Sequence, residues 1–78
     1  MTLEEAPVGL ELVIDQIAAG EGATRRLLDL GVYPGVRVSV IASHPWRGPV
    51  VVRVGGTRVA LGRGLARKIL VRQIDNVS

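Results

Sequence analysis

His44 and seven carboxylates are the residues of this 78-residue chain that could bind a metal or move a proton. Their spacing spells out neither chemistry. His44 has no serine or cysteine nucleophile in a recognisable setting, and cysteine is absent. A divalent transition metal wants imidazole or carboxylate ligands gathered together, whereas Glu4, Glu5, Glu11, Asp15, Glu21, Asp29 and Asp75 are scattered. The glycines precede no lysine in the GxxxxGK[ST] spacing that cradles phosphates. The expectation is no catalytic residue, no metal ligand set and no tightly bound cofactor, with His44 a solvated loop residue.

Cations and apolar groups stand instead at positions that folding alone does not select. Arg25 and Arg26 fall in the first turn of a helix predicted over 23–30. There the macrodipole disfavours cations by roughly 0.3–1 kcal/mol, and Asp29, four residues after Arg25, is in the less helpful orientation for an ion pair. Solvated, tolerated charges are the plain reading. The sharper one has Arg26, beside an exposed rim at Leu30, meeting an acidic patch on a partner. Arg53 and Arg58 face each other across a predicted hairpin, where like charges destabilise. Either Asp15 or Glu11 sits between them, the reading a closed barrel favours, or they await an anionic partner. Trp46 lies in the loop "SHPWRGP" beside Arg47. Packing over a barrel end is its favoured reading, and an exposed anchor for a partner the alternative.

The elements that must position these residues follow from composition and pattern. The chain is 47% hydrophobic, almost all Val, Leu, Ile and Ala, with no Phe and ten glycines. That mixture favours short strands. One domain over 1–78, with its core over about 3–74, is expected. Folding at this length buries only about 60–65% of the unfolded surface. The pI of 10.6 reflects arginine, which supplies nine of ten basic residues; the net charge is only +3. The opening "MTLEEAPVG" is acidic without an apolar run, and no stretch approaches the ~18–20 apolar residues that span a bilayer. A soluble protein with no direct membrane insertion is expected.

Alternation predicts strands over 10–17, 36–42, 50–54, 57–61 and 69–74, with a helical turn in "LARK" (65–68) and a loose tail at 75–78. Gly55-Gly56 is a two-residue hairpin signal that sets the register Val54/Thr57, Arg53/Arg58, Val52/Val59, Val51/Ala60 and Val50/Leu61. With Leu30 as C-cap, Gly31 takes the left-handed C′ position, and Leu27 and Val32 form the apolar pair that accompanies such an ending. Pro34-Gly35 suits the centre of a type II turn. Five short strands with a helix in the first connection suggest a mainly β fold, a strongly bent sheet closed into a barrel with the helix over an open end.

The composite of Arg26, Leu27, Leu30, Gly31, Pro34 and Gly35 in "RRLLDLGVYPGVRVSV", with "VIDQI" before it and "GPVVVRVGGTRVALGRGLARKILV" after it, resembles the FeoA family of ferrous iron transport accessory proteins. The resemblance covers roughly 3–74 and implies an SH3-like β-barrel. "GRG" at 62–64 is richer in glycine than the family pattern before its last short helix. The resemblance further implies a non-enzymatic, cytoplasmic protein. Its partner would be the cytosolic GTPase region of the membrane transporter FeoB, which would recruit it to the inner face of the membrane. Arg25, Arg26, Leu30, Trp46, Arg53 and Arg58 are the candidate contact residues, and Leu27, Gly31, Pro34, Gly35, Gly55 and Gly56 the structural motif. A weak contact with Fe2+ or another divalent metal stays open, as does oligomeric state. Two alternatives use the same barrel: nucleic-acid binding, disfavoured because only two aromatics are available and neither lies in a predicted strand, and a stand-alone relative of the C-terminal domain of metal-dependent repressors. A proline-rich-peptide adaptor would need more aromatics.

Overall fold

The computed structural model describes residues 1–44, 46 and 48–74; Arg47 and the tail expected to be loose lie outside them. The described chain forms five strands and two short helices, in the order β1 (Glu11–Ile17), α1 (Glu21–Asp29), β2 (Arg37–Ala42), β3 (Val50–Val54), β4 (Thr57–Leu61), α2 (Arg63–Ala66) and β5 (Ile69–Gln73). All ladders are antiparallel, and the strand order is β4-β3-β2-β1-β5.

The β3–β4 hairpin has the register that its glycines dictate, from Val50↔Leu61 to Val54↔Thr57. Gly55 has φ +60, a conformation that suits the first central position of a hairpin turn and costs glycine nothing. Two bulges bend the sheet: pairing shifts between Ile14 and Gln16 in β1, and between Val40 and Ala42 in β2. An extra residue on one side of a ladder strengthens local twist, so a five-stranded sheet wraps around its own apolar face.

That face is aliphatic throughout. The sixteen buried residues are Val, Leu, Ile and Ala, with no buried polar residue among the described ones. Of the residues that alternation turns inward, Leu12/Ile14, Val38/Val40, Val50/Val52/Val54, Val59/Leu61 and Ile69/Val71 are in it, while Leu10 and Val36, at the starts of the first two sets, are only partly buried against it. Leu3 and Ala6 join them from outside any predicted element. Leu3 is fully buried and its N–H donates to the Ile69 carbonyl at 2.8 Å, while the Val71 N–H donates to the Met1 carbonyl at 2.8 Å. With the bridge Thr2↔Leu70, residues 1–3 form a strap along the outer edge of β5. Glu4 holds the strap to α2, accepting from Arg67 Nε at 3.0 and 3.1 Å with Arg63 Nη1 3.8 Å away. Arg63 Nε and Nη2 are shut from solvent without a partner among the described residues, which opposes part of what the apolar contacts give. The Thr2 backbone N–H donates to Glu5 Oε1 at 2.8 Å, and this bond, with a second involving the Thr2 side chain, holds the exposed Glu5 carboxyl below its ordinary range.

Closure differs from expectation in one respect. The barrel does not abolish its edges, because β4 and β5 remain the terminal strands of the sheet. The four-residue α2 carries the chain from one edge strand to the other. α2 also begins two residues earlier than predicted, taking in Gly64.

Candidate functional site

α1 ends as its sequence requires. Leu30 is the C-cap, the Gly31 N–H donates to the Leu28 carbonyl at 3.0 Å, and the Val32 N–H to the Leu27 carbonyl at 2.7 Å. Gly31 has φ +85, and Leu27 and Val32 are both buried: this is the Schellman motif with its apolar pair. The type II turn follows at once. The Val36 N–H donates to the Tyr33 carbonyl at 3.2 Å, Gly35 has φ +95, and its N–H donates to the Ile14 carbonyl at 2.7 Å. The chain is therefore pinned to β1 immediately after leaving the helix.

This rigid exit displays apolar surface. Leu28, Leu30 and Tyr33 are 55%, 49% and 44% exposed. Leu27 is the only residue of α1 that is buried; a helix turns about 100° per residue, so Leu28 cannot share its face. Leucine spacing alone groups Leu28 with Leu27 and Leu30, and the rotation of about 100° between neighbours is the signal that separates them; nothing in the sequence pattern singles out Tyr33. Glu21, Thr24, Arg25, Leu28 and Asp29, at helical spacing, line a shallow groove beside the exit.

Arg25 and Arg26 are exposed as expected, but they do not lie in the first turn of the helix, where the macrodipole would disfavour them. α1 starts at Glu21, two residues before the predicted start, so Glu21 occupies the first turn and Arg26 the last. Both charges now suit the macrodipole.

Arg53 and Arg58 do stand opposite each other, and both are exposed. The acid expected between them is not there. Asp15 sits 3.5 Å from Arg72 instead, and Glu11 is opposite Ser39. The reason is strand order: β2 lies between β1 and β3, so Glu11 shares a small pocket with Arg53 across Ser39 but pairs with neither arginine.

Trp46 is 91% exposed, which overturns its packing over a barrel end; the core is already filled by aliphatic side chains. Trp46→Ser should leave the unfolding free energy, from urea titration followed by far-UV circular dichroism, within the ±0.5 kcal/mol typical of surface changes. A larger loss would mean the indole packs on something. His44 is exposed, and among the described residues no three His, Asp or Glu gather at metal-ligand spacing. No helix among them is long and apolar enough to cross a membrane.

The bent antiparallel sheet, the helix in the first connection and the short turn before the last strand define a small SH3-like domain. A family model for the FeoA domain matches residues 1–73. The chain belongs to the FeoA family, accessory proteins of ferrous iron transport. It is 39% identical over 70 residues to a Methanocaldococcus jannaschii protein assigned the name Fe(2+) transport protein A, covering 90% of this chain and 83% of that one. The crystal structure of an iron uptake regulatory protein (FeoA) superposes with a TM-score of 0.87 at 36% identity, over 95% of this chain and 97% of that one. Stenotrophomonas maltophilia FeoA, solved with zinc and described as a prokaryotic SH3 domain protein, gives 0.76 at 36% identity, over 92% and 89%. A manganese-dependent transcriptional repressor shares the fold alone, with a TM-score of 0.87 at 23% identity, over 95% of this chain and 41% of the repressor.

Proposed function

We propose that this protein supports ferrous iron transport by docking on the cytosolic GTPase region of the transporter FeoB, without catalysis of its own. The observation that carries this reading is the exposed trio Leu28, Leu30 and Tyr33 on the pinned helix exit. Apolar side chains held on a rigid ending lose little entropy when a partner covers them, which is what makes a good anchor. Arg25 and Arg26 flank the trio and would select an acidic rim around a partner's apolar pocket. Docking would hold the protein at the cytoplasmic face of the membrane. The ferrous ion is the transporter's cargo in this reading, and no tightly bound metal takes part.

Capture of the purified FeoB GTPase region by the immobilised protein tests the idea. The unaltered chain should retain it, and Leu30→Glu should weaken capture at least tenfold, as expected when a hot-spot residue is replaced. The variant's unfolding midpoint should stay near that of the parent, because Leu30 is half exposed. Equal capture by both, or by neither, would overturn the proposal.

A further inference from the structure

The two edges of the sheet are treated differently. The outer edge of β5 is covered by residues 1–3 through the Thr2↔Leu70 bridge and the bonds between Met1, Leu3, Ile69 and Val71. The outer edge of β4 has no cover: no backbone bond beyond the β3 ladder engages 57–61 among the described residues. Unprotected edges are templates for strand addition, and proteins ordinarily blunt them.

Register shows which groups are offered. In a two-residue hairpin the residues flanking the loop exchange both backbone bonds, so Val54/Thr57, Val52/Val59 and Val50/Leu61 are the hydrogen-bonded pairs. Arg58 and Ala60 therefore direct their N–H and C=O away from β3, toward the open edge. Arg53 and Arg58 form a non-hydrogen-bonded pair, whose side chains lie closer together.

A row of side chains crosses the outer face of the sheet: Glu11 of β1, Ser39 of β2, Arg53 of β3 and Arg58 of β4. It begins with an acid and ends with two adjacent cations that have no ion-pair partner among the described residues. The next position in the row belongs to whatever adds to β4, and a carboxylate there would offset the repulsion. A second copy of this chain joined through the same edge would bring two such cation pairs together, so charge argues against it.

We infer that β4 accepts an extended acidic segment of a protein partner as a sixth strand, with a carboxylate set beside Arg58. Backbone bonds to Arg58 and Ala60 supply the attachment and the arginine pair supplies the preference for acid. This surface is distinct from the helix exit, and its test does not involve the transporter.

The probe is a blocked seven-residue peptide of alternating valine and glutamate, titrated into the 15N-labelled protein. Its glutamine counterpart and vesicles of phosphatidylcholine with phosphatidylserine are the comparison arms. The glutamate peptide should produce saturable shifts at the Arg58 and Ala60 amides and slow their hydrogen exchange. The glutamine peptide should bind about two- to fivefold more weakly, and R53Q/R58Q should erase that difference. Ala60→Pro removes an edge N–H that β3 does not use, a change tolerated in edge strands, and should lose binding while keeping its fold; if it unfolds, the arginine double variant decides. Three results would overturn the inference: no saturable shift on β4 at millimolar peptide, equal binding of both peptides, or a response of the arginine row to vesicles alone.

Discussion

Leu27→Ala should lower the unfolding free energy by about 2–5 kcal/mol, the range for large-to-small changes at fully buried aliphatic positions. Leu27 is 1% exposed and is the one residue through which α1 enters the core. A nine-residue helix is not stable in water by itself, so losing this anchor releases the helix as well as leaving a cavity. A 78-residue domain has a total stability of about 4–12 kcal/mol, so the change consumes a large share of it. Urea unfolding followed by far-UV circular dichroism measures the loss. Leu28→Ala, one residue on and more than half exposed, is the matched control and should change stability little. A loss below about 1 kcal/mol for Leu27→Ala would mean that the helix is held by something other than this side chain.

Leu3→Ala should cost a similar amount, about 2–5 kcal/mol, though Leu3 belongs to no strand or helix. Its side chain is fully buried in the same cluster as Ala66, Ile69 and Val71. The ion pair between Glu4 and Arg67 is on the surface and contributes little, so the strap depends on Leu3. The effect should be local as well as global: the Val71 amide, bonded to the Met1 carbonyl, should lose protection from hydrogen exchange before the Val59 amide does. Uniform loss of protection across the sheet would show that the strap opens only with the whole domain.

These two residues mark what could be read from the sequence and what could not. Leu27 was legible because Gly31, Val32 and the leucine spacing state the helix ending locally. The hairpin register was legible for the same reason, since two glycines leave a single pairing that keeps Val50, Val52, Val59 and Leu61 on one face. Leu3 was not, because a lone leucine between a threonine and two glutamates has no period. The start of α1 was misplaced because its N-cap is Gly20, with no side-chain capping bond, and Gly22 inside the helix is a poor helix former. The neighbours of Arg53 and Arg58 depended on the order of strands distant in sequence, which no local pattern carries. At the candidate site, alternation and turn chemistry identified the helix exit and its exposed Leu30, but not that Leu28 is left outside beside it.

The aliphatic interior has an optical consequence. The only chromophores of the chain, Tyr33 and Trp46, are both on the outside, so melting of the core is nearly silent in near-ultraviolet absorbance and emission. The same placement makes the indole and the phenol natural reporters of contact: a spectral change at constant temperature would signal something arriving at the surface, not the domain coming apart.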